Sequence, residues 1–206
     1  MPPQVQFSRE NIIEGAFDIF RKEGMEGITA RKVAKRLGSS VGPIYTYFEN
    51  IQELQRELLK KTVELMDEYS IRPWTDIPFL NMGVGYVCFA RDEPVLFNNF
   101  FIDPGFETNG ERDHETYIER MRRDPMLRDF SRDELVSIFT KMSYFSYGMA
   151  VEASQGMMRD SSTESIIELL KETGADIIFV AKVRSVLKDP KSSKEDLNGL
   201  WGYFDE

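Results

Sequence analysis

An all-α fold follows from three observations on this 206-residue chain. Apolar residues recur at helical spacing through one segment after another. No segment sustains the period-two alternation of a half-buried strand, and no internal repeat is present. Gly, Pro, Ser, Thr and Asn stand between the segments, where they start or stop helices. Together these predict a bundle of packed helices without a sheet.

Each element has its own signals. Ser8 caps a first helix over 8–22, with Ile12, Ile13, Ala16, Phe17, Ile19 and Phe20 on its apolar face, and Gly24 ends it. Thr29 caps a second helix that runs to 37, with Val33, Ala34 and Leu37 turned inward, and Gly38 closes it. A third, short helix spans 41–47. Pro43 is tolerated there because the N–H groups of a first turn have no helical partner. Asn50, with Glu53 three residues on, starts a long fourth helix that stops before Pro73. Its apolar points are Ile51, Leu54, Leu58, Leu65, Met66 and Tyr69. Further helices are predicted over 76–90, 94–101 and 115–123, with breaks at Pro104-Gly105 and Asn109-Gly110. Ser131 caps a long helix reaching about 155, and Thr163 caps the last, which ends near 188 before Pro190. The tail beyond is polar and then aromatic, with Trp201, Tyr203 and Phe204.

Composition excludes several classes. At 41% hydrophobic and 30% charged, the chain has the make-up of a folded domain rather than a disordered one. Cys88 is the only cysteine, so no internal disulfide or cysteine zinc site can form, and its apolar neighbours predict an inert buried thiol. Met1-Pro2-Pro3-Gln4 lacks signal-peptide features, and no apolar run approaches the ~18–20 residues that span a bilayer. A cytoplasmic protein with no membrane partner is expected. Glu111 and His114 form a lone E-x-x-H, whereas a di-iron bundle needs two, so no metal is expected. No nucleotide-binding glycine motif, nucleophile elbow or zincin motif is present. Neither catalytic residues nor a cofactor is expected.

Charge is unevenly spread within the net of -9. Residues 1–61 hold ten Lys/Arg against eight Asp/Glu, a net of +2; the rest holds 16 against 27, a net of -11. The basic part contains residues 29–48, TARKVAKRLGSSVGPIYTYF, which carry Arg31, Lys32, Lys35 and Arg36 and no acid. Ala34 is small enough for two helices to cross, and Gly38 supplies a sharp turn. Ile44 and Phe48 can plug the short third helix onto Ile13, Phe17 and Phe20. A short, hydroxyl-rich face is left, suited to the major groove of DNA.

This segment resembles the TetR family of bacterial transcriptional regulators. The likeness rests on Gly27-Ile28-Thr29, Val33-Ala34, Leu37-Gly38, the run from Val41 through Gly42-Pro43-Ile44-Tyr45-Thr46-Tyr47 to Phe48, and Leu54. It covers about residues 8–60; beyond that, only helix count, order and length agree. The resemblance implies a helix-turn-helix DNA-binding domain at 1–51 and a helical effector-binding and dimerisation domain at 52–206. Thr29 and Arg31 would then reach phosphates. Ser39, Ser40, Gly42, Pro43 and Thr46 would lie at or near base edges, Val41 would belong to the same DNA-binding set, and Tyr45 and Tyr47 would touch the backbone. Asn50 would present the fourth helix to a phosphate. Many relatives carry a lysine at the position of Ile51 and a basic residue at that of Glu49, so positive charge is reduced here.

The second half is rich in aromatic and methionine residues, which suit either a core or an apolar pocket. Trp74, Tyr86, Phe89, Phe101, Phe106, Tyr117 and Phe145 come from several helices that could converge on a ligand. Glu93, Asp103, Glu107, Glu115 and Glu119 lie nearby in sequence, as a solvated acidic surface or as partners of an apolar cation. From 135 to 153 the only charged residues are Lys141 and Glu152; from 175 to 186 they are Asp176, Lys182 and Arg184. Helices so apolar are covered on two sides, either as a subunit interface or as core helices of one subunit. The interface reading selects Phe139, Ser143, Tyr147, Ala150, Ile166, Leu170, Ile177 and Ile178. With the resemblance, these features imply a ligand-responsive repressor. It binds palindromic operator DNA as a homodimer and is released by a small apolar or aromatic effector. The alternatives are an architectural or adaptor DNA-binding protein without an effector and, remotely, a small helical enzyme.

Overall fold

A computed structural model describes residues 7–102 and 114–188. All regular elements among them are helical: α1 (Arg9–Glu23), α2 (Ala30–Leu37), α3 (Gly42–Tyr47), α4 (Ile51–Ile71), α5 (Pro78–Asp92), α6 (Pro94–Phe97), α7 (His114–Arg122), α8 (Arg132–Ser154) and α9 (Thr163–Lys188). A 3-10 turn, Met25–Gly27, follows α1, and a π-helical turn, Asn98–Ile102, follows α6. Phe106, the acidic residues Asp103 and Glu107, and the aromatic tail lie outside the described residues.

Local capping chemistry sets most boundaries. The Ser8, Thr29, Asn50 and Ser131 side chains each accept a backbone N–H of the first turn of their helix. Glu134 answers Ser131 by accepting its backbone N–H at 2.9 Å, completing a capping box. Two expected starts are corrected. α5 begins at Pro78 rather than at residue 76, because Thr75 and Asn81 clasp each other and hold the preceding connection out of the helix. Ser162, not Thr163, caps α9: its Oγ accepts the Ser165 N–H at 3.2 Å, while the Thr163 hydroxyl accepts from Arg91 Nη1 at 3.1 Å.

One apolar core runs from the N-terminal helices into the body. Ile12, Ala16, Phe17 and Phe20 of α1 meet Val33 and Ala34 of α2, Ile44 of α3, Phe48, and Leu54 and Leu58 of α4. The axis of the body is α5, where Val84, Val87, Cys88, Phe89 and Ala90 are fully buried. It packs most extensively on α8 and α4, then on α9. A smaller core joins Ile118 and Met121 of α7, Leu127 and Phe130, and Leu135 and Ile138 of α8.

Candidate nucleic-acid interface and effector region

The N-terminal head is a short reading surface on a rigid support. Gly38 takes the left-handed conformation at φ 66°, ψ 30°, and the Ser39 N–H closes on the Ala34 carbonyl at 2.9 Å. The chain is thereby turned into α3, whose side chains divide sharply. Ile44 and the following Phe48 are buried in the core. Val41, Gly42, Tyr45, Thr46 and Tyr47 are exposed with Thr29, Arg31, Ser40 and Asn50, while Ser39 and Pro43 are half-buried. Tyr45 is 52% exposed, and the Thr46 hydroxyl donates to the Gly42 carbonyl at 3.2 Å. The eleven expected DNA-facing residues therefore lie along 29–50, on the two helices and the start of the next.

Charge on this surface is not equally available. Lys32 pairs with Glu23 at 2.5 Å and Arg36 with Asp18 at 2.5 Å, both on α1. Arg31 and Lys35 have no ion partner among the described residues and are exposed. Asn50 Oδ1 accepts the Glu53 N–H at 2.9 Å, and Glu53 in turn accepts the Glu49 N–H at 2.7 Å. Only the amide NH2 of Asn50 is left for another acceptor.

The head is joined to the body by contacts between residues far apart in the chain. Arg21 of α1 forks onto both carboxylate oxygens of Glu93, with Nε at 2.8 Å from Oε2. Glu93 is only 7% exposed, and its hydrogen bond holds the Arg21 guanidinium above its ordinary pKa. Beside it, the Met25 N–H donates to Asn99 Oδ1 at 3.0 Å, and Asn99 Nδ2 donates to the Val95 carbonyl at 2.9 Å. Asn98 accepts from the Ser154 hydroxyl of α8 at 3.0 Å. The π-helical turn thus carries adjacent asparagines to the head and to α8. Such turns recur at functional sites. On the other side of α1, Lys61 reaches Glu14 at 2.5 Å and Arg9 reaches Glu57 at 3.1 Å, tying α1 to α4.

The aromatic residues expected to line one ligand site fall into separate groups. Tyr86 meets Phe101 and Phe97 edge-on at 5.4 and 5.8 Å, and Phe97 stacks on Phe101 at 5.1 Å. Phe89 and Trp74 both lie against Tyr69, at 5.6 and 6.3 Å, and the Trp74 indole N–H donates to the Tyr69 carbonyl at 2.9 Å. Tyr117 stacks on Phe139 at 5.3 Å, and Phe145 packs half-buried on the main core. A cleft of about 290 Å³ opens elsewhere, between the end of α4, the connection to α5, the start of α5 and the end of α7. None of the six described residues among the expected aromatics lines it. Aromatic content marked where rings pack. It held no signal for this cleft, whose walls come from two separate stretches of chain, residues 70–82 and 120–123.

Residues 12–58, from α1 into α4, match the family profile described as bacterial regulatory proteins, tetR family. Over this segment the chain is similar to the TetR family. An uncharacterized HTH-type transcriptional regulator of Mycobacterium tuberculosis is 21% identical over 170 residues, covering 78% of this chain and 77% of that one. The class C tetracycline repressor of Escherichia coli is 26% identical over 152 residues, 71% of this chain and 66% of that protein. Among solved structures, a substituted TetR of Acinetobacter baumannii in complex with minocycline superposes with a TM-score of 0.51 at 17% identity. That match covers 84% of this chain and 94% of the other, and it carries the TetR-like fold past the head into the body.

Within this TetR-like fold, three of the expected interface residues need correction. Ala150, Ile166 and Leu170 are fully buried inside the subunit and have no surface left for a partner. Phe139, Ile177 and Ile178 are half-buried against the smaller core, and Ser143 is half-buried. Tyr147 is exposed and also touches Phe97 at 6.5 Å. The outward side chains of the same helices are Tyr144, which is 75% exposed, and Leu169, Val180 and Leu187. Among the described residues, no helix is long and apolar enough to cross a membrane.

Proposed function

We propose that this chain is a ligand-responsive transcriptional repressor that binds a palindromic operator in the cytoplasm as a homodimer. The observation that carries the reading is the division of α3: Ile44 and Phe48 are buried as anchors, leaving Tyr45, Thr46 and Tyr47 exposed, with Arg31 of α2 also exposed and without an ion partner among the described residues. A helix held this way presents its first turn to the major groove while the tyrosines set register on phosphates. Residues 1–51 act as the reading head, and residues from 52 onward bind effector and partner. Relatives named as tetracycline repressors support repression as the mode of action.

The dimer has two states. In one, the recognition helices lie about 34–36 Å apart and match successive major grooves. An effector that prefers the other state tilts α4 and changes that separation, with a coupling of roughly 1–3 kcal/mol. Selection of duplexes from a random pool by the full chain tests the reading. A palindrome with half-sites one helical turn apart is expected, with affinity that falls as salt rises. Recovery of no sequence preference, or of single half-sites only, would count against it. An architectural protein without an effector is the reading the comparisons do not favour, since the relatives are named as regulators and repressors.

A further inference from the structure

The cleft between α4, α5 and α7 has a chemistry of its own. Arg120 and Arg123 stand on its α7 side. Neither has a carboxylate partner among the described residues, whereas Arg91 pairs with Asp92 and Arg132 with Glu115. Arg120 Nη1 reaches the Ser70 hydroxyl at 3.3 Å, and its guanidinium lies 5.9 Å from the Tyr117 ring. One acid, Asp76, lines the same cleft. Two guanidiniums against one carboxylate leave a single positive charge, in a half of the chain whose net is -11. The remaining wall sets Pro73, Pro78, Met82 and Ile71, the last 65% exposed, beside the polar Ser70, Thr75 and Asn81. The wall is also preformed. Asn81 accepts the Thr75 N–H at 2.8 Å and donates to the Thr75 carbonyl at 2.8 Å, which fixes the connection from α4 to α5.

We infer that this cleft binds a small organic carboxylic acid with an apolar body, and that such an acid is the effector class; this rests on the ligand-responsive reading above. A planar carboxylate fits the guanidinium fork by paired, charge-assisted hydrogen bonds. The apolar end of the acid covers half-buried Met82 and exposed Ile71. Asp76 discriminates against dianions, because the net charge available is one. A volume of about 290 Å³ lies at the lower end of ligand pockets, so the acid is small. The site also touches the transmission path. Ser70 lies in the last turn of α4, whose other end borders the head, and a carboxylate competes with Ser70 for Arg120.

Matched probes test this on the full chain: 2-naphthoate against 2-naphthamide, and decanoate against decanol, with inorganic phosphate as competitor. Binding is read by calorimetry, and release is read on a duplex the chain has selected. Each acid is expected to bind about tenfold or more tightly than its neutral match. R123A and R120A should each remove that preference, R123K should keep part of it, and D76N should strengthen acid binding. Circular dichroism confirms that the variants are folded. Absence of an acid preference in both pairs, a preference that survives R120A and R123A, or phosphate competing as well as the acids would overturn the assignment. Release of the duplex by a neutral or cationic compound, unaffected by R123A, would overturn the acid class and leave the ligand-responsive reading standing. A mixed-charge panel in which nothing releases the duplex would count against both.

Discussion

Gly85 marks a close approach of α5 to the end of α4. A methyl there would overlap the carbonyl oxygen of Tyr69 and lie 2.5 Å from its carbonyl carbon and 2.7 Å from Ser70 Cα. These are backbone atoms and cannot swing aside, so Gly85→Ala must push the helices apart. We expect a loss of at least about 1–3 kcal/mol, read by urea denaturation. Unchanged stability would show that the crossing is looser than its geometry. The sequence held no sign of this role, because a glycine in an apolar helical run looks the same whether or not another backbone touches it. Cys88 is different, since its apolar neighbours already announced burial. It is fully buried, and burial raises its thiol above the ordinary pKa.

Among elements, the pair α2 and α3 was the most legible, because short-range chemistry builds it. Thr29 caps, Gly38 turns, Pro43 sits in a first turn, and Ile44 and Phe48 anchor. What the sequence left undecided was which cations remain free once the helices pack. Lys32 and Arg36 are held by acids of α1, whereas Arg31 and Lys35 are not. Arg31→Ala should therefore lower the steepness of the salt dependence of DNA binding by about one counterion, and Lys32→Ala by less. Tyr45→Ala should weaken binding by about tenfold at unchanged thermal stability, since the ring is mostly outside the core. Electrophoretic or fluorescence titrations at several salt concentrations separate these effects; equal slopes for Arg31→Ala and Lys32→Ala would refute the division. The least legible element was the π-helical turn after α6, expected as a continuous helix over 94–101. It accompanies the stacking of Phe101 on Phe97 and the bonds of Asn98 and Asn99 to α8 and the head, all of which depend on distant packing.

At the scale of the molecule, hydropathy showed that the last two long helices are covered on more than one side, but not by what. Part of the cover is α5, which buries Ala150, Ile166 and Leu170 within the subunit. The surface left for a partner is the outer side of α8 and α9, with Tyr144, Leu169 and Val180 exposed and Gly148 open above its backbone. If the dimer forms through this face, Tyr144→Arg places an unpaired charge in its centre and should convert dimer to monomer in sedimentation at micromolar concentration. Alanine at buried Ile166 would instead lower stability without this selective effect on assembly, as expected for a core residue. A Tyr144→Arg protein that stays dimeric would move the interface elsewhere.

The sequence by itself determined the helical class, the order of the helices, most of their caps and the family-defining head. All of these depend on residues a few positions apart, through periodicity, capping and turn chemistry. Tertiary structure alone decided that α5 is the axis of the body, that Arg21 clasps Glu93 across 72 residues, that the described candidate aromatics form separate groups, and that two arginines without a carboxylate partner among the described residues share a cleft with one acid. These outcomes depend on which faces meet at long range. A one-dimensional pattern records that a face is apolar or a residue charged; the partner is chosen only when the chain packs.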